Sequence, residues 1–514
     1  MTAGWSRRAS SPGVHPLLFA AFPVLFVWSH NLDQGVTLLQ GLTALVAAMS
    51  FSVVVFCLLR LFLKDWSRSA VAASVIVILF LTLGRVGALL GVSGGPLEVF
   101  LVAELLVLSL VAIFAVRKIR PPETLTRTLN LIGLVLVILN IVPIVAVQES
   151  NAAGFPFPSV TERLDPSASG PERDVYYLIF DRYAGAETLS SLYGFDNSGI
   201  YTWLSDQGFE VTKDALANYP QTSHSLASSL NMSYLDDFAR AQGEDSSAWT
   251  PIRRTLHDSA IARTFQAMGY KYEHIGSWWE ATAEDPTADD NYVYGTYTEF
   301  LGTFLSTTAI PSIERLFRGT PNIDKEQWDR VHFQMRALSE IVSDPEPTFT
   351  FAHFLLPHVP YIFLADGSFV PSDQDRPIEE RYVDQLKYTN KVIEQVVTEL
   401  QAGSGPAPII VIQSDEGPHP PAHDDWGEEL KVSWGQASDV ELGRKLRILN
   451  AYYLPGDPTI KPYPTITPVN TFRLILNDYF GESLPLLPDR TYVFTDFDHP
   501  YRFEDVTDRL RGPA

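Results

Sequence analysis

The stretch 218–232, NYPQTSHSLASSLNM, combines several hydroxyl side chains with the start of a helix. Pro220 ends any helix or strand that precedes it, and Leu226 and Leu230 have the four-residue spacing of a helix face. Thr222 and Ser225 would then lie in the first turn, where unpaired backbone N–H groups and the helix dipole favour an anion. A hydroxyl at this position can simply cap the helix. It can also act as a nucleophile if neighbouring groups activate it.

Groups that could activate a hydroxyl follow three apolar runs typical of buried strands. The run DVYYLIFD ends in Asp181, and PIIVIQSDE ends in Asp415 and Glu416. A third run, HFLLPHVPY from His353 to Tyr361, places His358 between two prolines. Ligands gather at the carboxyl ends of parallel strands, so these groups are predicted to converge at one edge of a sheet.

The elements that must position these groups alternate between strand and helix after residue 174. Apolar strands separated by helices predict an α/β fold with a mostly parallel sheet covered on both faces. The predicted strands are 175–181, 271–276, 348–356, 408–414 and 447–454, and the predicted helices are 197–207, the one beginning near Thr222, 252–268 and 378–401.

The first 148 residues have the composition of a membrane domain, followed by a proline-rich linker at 149–173 and a head at 174–514. Five apolar segments predict about five membrane helices, at Pro16–Ser29, Val36–Leu63, Ala70–Val92, Leu97–Val116 and Leu129–Val147. Lys and Arg cluster before the first segment, between the second and third, and between the fourth and fifth. Basic loops favour the cytoplasm, so the head is predicted to be extracytoplasmic and the chain a multi-pass protein of the cytoplasmic membrane.

Two ionisable residues fall inside the apolar segments, Arg85 in the third and Glu104 in the fourth. Both lie about 13 Å from the outer ends of their helices at the rise of an α-helix. A charge at this depth is costly unless it is paired, which favours a salt bridge between them. A polar pocket for a lipid head group is the alternative.

Charge and cysteine content exclude other classes of protein and site. The formal net charge is −22, which argues against nucleic acid as a partner. The single cysteine, Cys57, excludes a disulfide within the chain and a Cys-based metal site.

Taken in order, these motifs resemble the alkaline phosphatase and sulfatase superfamily, in particular its membrane-anchored branch of lipoteichoic acid synthases and phosphoethanolamine transferases. The resemblance covers the five-span topology and residues from about 174 to 489. It implies an N-terminal five-helix membrane domain followed by an αβα sandwich. It places Thr222 as nucleophile, supported by Ser225, and His358 as the substrate histidine. It also suggests Trp278 and Trp279 as the wall of a head-group pocket, although aromatic residues at strand ends are usually core.

The resemblance implies one divalent ion held by Asp181, Thr222, Asp415 and Glu416. Glu416 stands where the family has histidine, and an all-oxygen site favours Mn²⁺ or Mg²⁺ over Zn²⁺. His419 and His423 are alternatives to Glu416 but follow prolines in a loop more typical of a surface. Asn450 stands where two-metal relatives carry another histidine.

Two functions remain open from the sequence. The first is a membrane-anchored, metal-dependent transferase or hydrolase of phosphate esters of lipid or envelope glycan, acting through a phospho-threonine intermediate. The second is a non-catalytic head that binds an envelope glycan or a partner protein, and Glu416 is its main support. Sulfatase activity is not expected, because the motif that is oxidised in those enzymes is replaced by Thr222, His224 and Leu226.

Overall fold

A computed structural model of the chain describes residues 13–32, 36–90, 96–118, 123–151, 173–295, 298–318, 322–372, 374–403, 405–420, 432–456, 459 and 461–511. The chain divides into two compact units. The first comprises Met1–Gly154 with Tyr297–Ile323, and the second comprises Phe155–Thr296 with Asp324–Ala514. A short segment between 297 and 323 therefore groups with the N-terminal helices, although it lies in the sequence of the head.

The described residues contain the following helices and strands. The helices are α1 His15–His30, α2 Leu38–Leu63, α3 Trp66–Leu89, α4 Pro96–Lys118, α5 Glu123–Asn151, α6 Ala186–Leu192, α7 Ser198–Asp206, α8 Thr222–Leu230, α9 Asp236–Gln242, α10 Thr250–Arg254, α11 Ala260–Ala267, α12 Glu299–Ser306, α13 Ile310–Arg318, α14 Asn322–Ile341, α15 Ile378–Gln401, α16 Asp439–Leu446, α17 Thr471–Tyr479 and α18 Thr507–Arg511. The strands are β1 Val175–Phe180, β2 Glu210–Val211, β3 Lys271–Ile275, β4 Asp290–Tyr292, β5 Thr348–Phe354, β6 Ile409–Gln413, β7 Asn450–Tyr453, β8 Tyr492–Phe494 and β9 Phe503–Asp505.

The first unit is helical, as the apolar segments predict. Within the described residues, α2 to α5 each contain a stretch long and apolar enough to cross a membrane, whereas α1 is apolar but has only 16 residues. The Arg85 guanidinium lies 4.6 Å from the centre of the Phe26 ring. Arg85 and Glu104 are both described, and no ion pair joins them. The predicted salt bridge is therefore replaced by a cation–π contact.

The second unit is built on one seven-stranded sheet with the order β2-β7-β6-β1-β5-β3-β4. Strands β6, β1, β5, β3 and β4 are parallel, whereas β7 runs antiparallel to β6 and β2 antiparallel to β7. The predicted mostly parallel sheet is therefore confirmed. The predicted helix 252–268 is divided into α10 and α11, because Asp258 adopts a positive φ of 56° and Ser259 caps the second helix.

Successive side chains of β1 enter two different cores, because a strand alternates its faces. Val175, Tyr177 and Ile179 join a core that includes residues of α8, α11 and α17. Tyr176, Leu178 and Phe180 join a second core with residues of α7, α14 and α15. The sheet thus has helices on both faces, which confirms the αβα sandwich. We call these the α8 face and the α15 face.

Candidate metal and nucleophile site

Strand register brings three metal-ligand side chains together on the α8 face. Ile179 of β1 pairs with His353 of β5 and with Gln413 of β6. Asp181 and Asp415 lie two residues beyond Ile179 and Gln413, so both carboxylates are expected on the same face as the His353 ring. One ligand atom from each of Asp181, His353 and Asp415 lies within 4.8 Å of the others, and all three residues are buried.

Helix α8 delivers Thr222 to this cluster. It begins at Thr222, every one of its residues is buried, and Leu226 and Leu230 pack into the core of the α8 face. The Ser225 hydroxyl donates to the backbone carbonyl of Asp415 at 2.7 Å, which ties the first turn of the helix to the end of β6. The Thr222 side chain lies beside the Asp415 carboxylate, although neither Asp415 carboxylate oxygen has a well-formed hydrogen bond with the described residues. Thr222 at the start of α8 and Asp415 after β6 therefore lie close together.

The cluster has the chemistry of a cation site. Burial, together with the negative charge of Asp181, raises the pKa of Asp415 to about 7. Apart from the approach of Thr222, neither Asp415 carboxylate oxygen has a well-formed hydrogen bond with the described residues, and the same holds for Asp181 Oδ1 and His353 Nε2. Two buried carboxylates that repel each other and lack donors fit a divalent ion, because burial is costly for charges that are not paired. A bound ion would also supply Lewis-acid chemistry at the Thr222 hydroxyl.

The orientation of the His353 ring is determined by two hydroxyl groups behind it. His353 Nδ1 lies 2.8 Å from Thr282 Oγ1, which lies 2.8 Å from Ser277 Oγ. Ser277 can donate onward to the backbone carbonyl of Trp279. A carbonyl can only accept, so a consistent chain of donors runs from His353 Nδ1–H to Trp279 O. His353 Nε2 then carries its lone pair towards Asp181, whose Oδ2 lies 3.5 Å away.

Thr282→Val should therefore weaken divalent-ion binding by about 10- to 100-fold, the usual cost of removing a group that orients a metal-binding histidine. Thr282→Ser keeps the hydroxyl and should bind as the wild type does. Thr264 is a matched control, because it is also buried but bonds only to its own helix at Ala260 O. Calorimetric titration of the full chain in detergent with Mn²⁺ measures the effect. Equal affinity in Thr282→Val and Thr264→Val would contradict the orienting role.

His358 lies beside the cluster in the loop after β5. Its Nδ1 donates to the backbone carbonyl of Val359, which leaves the lone pair on Nε2. Burial, and then the positive charge of Arg182, lower the pKa of His358 to about 3. In this state His358 is a neutral acceptor. It is therefore suited to accept a hydrogen bond from an attacking hydroxyl, whereas so low a pKa makes it a weak base.

The two tryptophans predicted to line a head-group pocket lie against the two histidines, and both are half-buried. The ring centre of Trp278 is 5.8 Å from that of His358, edge to face. Trp279 has the same arrangement with His353 at 6.3 Å. The Arg253 guanidinium lies 5.7 Å from the Trp279 ring, which places a cation at the same end of the sheet.

Glu416 is brought to the site but faces another set of groups. Its Oε1 accepts from Lys445 Nζ at 2.7 Å and lies 3.7 Å from Arg182 Nε. Lys445 is fully buried, and its Nζ also lies 3.1 Å from His419 Nδ1. Glu416 and Arg182 each follow a metal-cluster residue by one position, in the loops after β6 and β1, and Arg182 adopts a positive φ of 62°. Glu416 is thus the counter-ion of Lys445 in this structure, and His419 is a member of the same buried cluster.

Three further residues considered from the sequence are Asn450, His423 and His224. Asn450 Oδ1 accepts from Gln413 Nε2 at 2.9 Å and so links β7 to β6. His423 lies outside the described residues. His224 is a core residue, because its Nε2 donates to Pro500 O at 2.9 Å and its ring is surrounded by aromatic side chains.

The sequence interpretation did not single out His353 or Lys445. His353 carried a usable signal, because it precedes the end of its strand by one residue and pairs in register with a position two residues before Asp181. No sequence signal pointed to Lys445, because it lies in an amphipathic helix 29 residues after Glu416, where a lysine is ordinarily exposed.

The chain is similar to several known proteins. Similar solved structures include the C-terminal periplasmic domain of EptC from Escherichia coli, with 14% identity, TM-score 0.40, and coverage of 66% of this chain and 93% of that chain. That domain was also solved in a complex with Zn. Phosphonate monoester hydrolase of Agrobacterium radiobacter has 12% identity and TM-score 0.39, covering 62% of this chain and 80% of its own. Lipoteichoic acid synthase LtaP from Listeria monocytogenes has 12% identity and TM-score 0.39, with 68% and 83% covered.

The comparison with curated proteins and the comparison with protein-family models gave different results. No curated protein sequence matches the chain significantly. The protein-family model described as Sulfatase matches residues 202–472, which is more than half of the chain and includes Thr222, His353, His358 and Asp415. The chain therefore belongs to the sulfatase family.

Proposed function

We propose that this chain is a membrane-anchored, metal-dependent transferase or hydrolase of phosphate esters of lipid or envelope glycan, with its head outside the cytoplasmic membrane. One observation carries the proposal. Thr222, at the start of a buried helix, lies beside a cluster in which both Asp415 oxygens, Asp181 Oδ1 and His353 Nε2 have no well-formed hydrogen bond with the described residues. A site that merely stabilised the fold would be expected to satisfy these buried groups.

The proposed reaction has two displacements at phosphorus. In the first, Thr222 Oγ forms a bond to phosphorus, the bond to the leaving-group oxygen breaks, and the hydroxyl proton passes to the Asp415 carboxylate that already contacts it. In the second, an acceptor hydroxyl or water attacks phosphorus and loses its proton to solvent, the bond to Thr222 breaks, and Thr222 Oγ takes back the proton held by Asp415. His358 Nε2 is suited to accept a hydrogen bond from the second attacking oxygen and so to orient it.

The ion is expected to be held by Asp181, Asp415 and His353, with Thr222 beside them. This set differs from the one expected from the sequence, since His353 contributes nitrogen and Glu416 bonds to Lys445 instead. Two carboxylates and one imidazole suit Mn²⁺ or Zn²⁺, whereas a set of oxygens alone favours Mg²⁺. We therefore propose one divalent ion with Mn²⁺ as the first to test.

Metal binding is the first test of the proposed function. The full chain in detergent should bind one Mn²⁺, and Asp181→Asn or Asp415→Asn should each weaken binding by at least about 100-fold, because a charged ligand is lost. Asp174→Asn is the matched control, since Asp174 precedes β1 at the opposite end of the strand and its Oδ1 accepts from Thr348 N at 2.9 Å. Calorimetric titration measures all four proteins. Absence of binding in the wild type, or unchanged binding in Asp415→Asn, would overturn the metal site and favour the glycan-binding or protein-binding alternative.

A further inference from the structure

The segment 298–318 comes from the sequence of the head but packs among the membrane helices. Helix α12 contacts α1 and α2, and α13 contacts α3 and α4. Phe300 and Phe304 of α12 are buried in one apolar cluster with Trp28, Val77 and Leu81. The chain passes between the two units near residues 154, 296 and 323, so three chain connections join them rather than one.

The turn between α12 and α13 lies directly on the backbone of α3. Ala309 N donates to Phe80 O at 2.8 Å, and Arg85 N donates to Thr307 O at 3.3 Å. Gly84 permits this approach, because a Cβ there would lie 2.0 Å from Ser306 O and 2.7 Å from Thr308 O. A larger residue at position 84 would have to displace the turn.

Two helices give the same depth for this turn. Phe80, which accepts the hydrogen bond from Ala309, lies nine residues before the end of α3 at Leu89, or about 13 Å along the helix. Ala309 also shares an apolar cluster with Leu105, which lies nine residues after the start of α4 at Pro96, again about 13 Å. The hydrocarbon region of a bilayer is about 30 Å thick, so the turn lies within the half nearest these helix ends.

A turn at this depth needs partners for its polar backbone groups, and it has them. Thr307 N and Thr308 N donate to Phe304 O and Leu305 O, and both threonine hydroxyls donate to the same two carbonyls. Thr308 and Ala309 are fully buried. Irregular backbone at membrane depth is tolerated only where protein satisfies it, and this turn meets that condition.

Helix α13 carries an apolar stripe that continues past its contact with α3 and α4. Ile313 packs into the cluster formed by those two helices, and Phe317 follows one turn later but is 85% exposed. Its neighbour Leu316 is 43% exposed. The nearby ends of α3 and α4 also expose large apolar side chains at Val86, Leu89, Leu90, Val99 and Phe100. So many exposed apolar side chains are unfavourable in water and indicate that an apolar medium surrounds them.

We infer that α12 and α13 form a re-entrant hairpin in the outer half of the membrane, with Leu316 and Phe317 in contact with the acyl chains of the outer leaflet. The inference rests on the membrane orientation in the proposed function and not on its chemistry. Its test uses no activity measurement, so failure of the hairpin and failure of the metal site are distinguishable.

The test places a nitroxide at Phe317→Cys in the full chain, with Cys57→Ser removing the exposed native thiol. Reconstituted into phosphatidylcholine and phosphatidylglycerol nanodiscs, the label should collide more with O₂ than with a water-soluble nickel complex. Val107→Cys, 56% exposed on α4, provides the lipid reference, and Val440→Cys, 63% exposed on α16, provides the water reference. A label at 317 that collides more with O₂ than with the nickel complex, as Val107→Cys should, supports the hairpin, and one that collides more with the nickel complex, as Val440→Cys should, overturns it.

The contact between this turn and α3 is tested by adding Gly84→Val to the protein that carries the label at position 317. The label at 317 should then become more accessible to the nickel complex, because the new side chain displaces the turn from α3. Ala88→Val adds a similar volume at an exposed position one turn along the same helix and should change nothing. The label at position 107 reports whether the helices themselves remain assembled. If they do and the label at 317 does not respond to Gly84→Val, the turn does not sit on Gly84.

Discussion

Thr222→Ala is expected to lower turnover of a phosphodiester by at least about 10³-fold while the protein remains folded, because the proposed reaction has no other nucleophile. The hydroxyl contacts Asp415 at the start of a buried helix, where backbone N–H groups and the helix dipole stabilise a developing negative charge. Loss of one hydrogen bond should cost only about 1 kcal/mol of stability. Hydrolysis of bis(p-nitrophenyl) phosphate by the full chain with Mn²⁺ measures turnover, and thermal unfolding measures the fold.

Three further variants separate a nucleophile from a structural hydroxyl. Ser223→Ala should retain activity, because the Ser223 hydroxyl bonds to the adjoining His224 Nδ1, at 3.3 Å, and to no other side chain among the described residues. Ser225→Ala should cause a moderate loss, because it removes the tie between α8 and the backbone of Asp415. Thr222→Ser keeps a hydroxyl and should retain measurable turnover.

Covalent labelling identifies the nucleophile directly. Wild-type protein incubated with the reactive phosphodiester should carry the phosphoryl adduct on the peptide that contains Thr222. An adduct on another residue, or full activity in Thr222→Ala, would show that the nucleophile has been misassigned. Metal binding without adduct or turnover would instead favour a head that binds its ligand without reacting.

The parts of the site that follow from local sequence pattern were predictable, and those that depend on distant contacts were not. Asp181 and Asp415 could be placed because an acid at the end of an apolar run must lie at the edge of a parallel sheet. His353 required the strand register, since a shift of one residue would turn its ring to the other face. His358, between two prolines, was visible as a residue, but its neutral acceptor state depends on burial and on Val359 O.

The sequence favours an all-oxygen metal site only if Glu416 faces the same way as Asp415. In the structure Glu416 lies in the loop that follows β6, and its carboxylate bonds instead to Lys445 Nζ. That contact comes from a helix that no local sequence pattern connects with β6. The packing of 298–318 among the membrane helices was not predictable for the same reason. An amphipathic pattern shows that a helix has an apolar face, but it does not show what covers that face.

Lys445→Met and Glu416→Gln are each expected to destabilise the second unit by about 3 kcal/mol, because each leaves a buried charge without its main partner. Glu416 is 1% exposed and Lys445 is fully buried, and their charged atoms lie 2.7 Å apart. The double variant should cost clearly less than the sum of the two, since it removes both charges together. Thermal unfolding of the four proteins in detergent measures this coupling, and independent additive losses would show that the pair is not the stabilising contact.

The same four proteins decide whether Glu416 is a counter-ion or a metal ligand. If it is a counter-ion, Glu416→Gln should weaken Mn²⁺ binding only through the uncompensated charge of Lys445, which lies within electrostatic range of Asp181 and Asp415. Adding Lys445→Met removes that repulsion, so the double variant should bind Mn²⁺ about as tightly as the wild type. If Glu416 is a ligand, its oxygen is missing in both variants, and binding should stay weak whatever residue stands at position 445. Calorimetric titration with Mn²⁺ distinguishes the two outcomes, and failure of Lys445→Met to restore binding would return Glu416 to the ligand set.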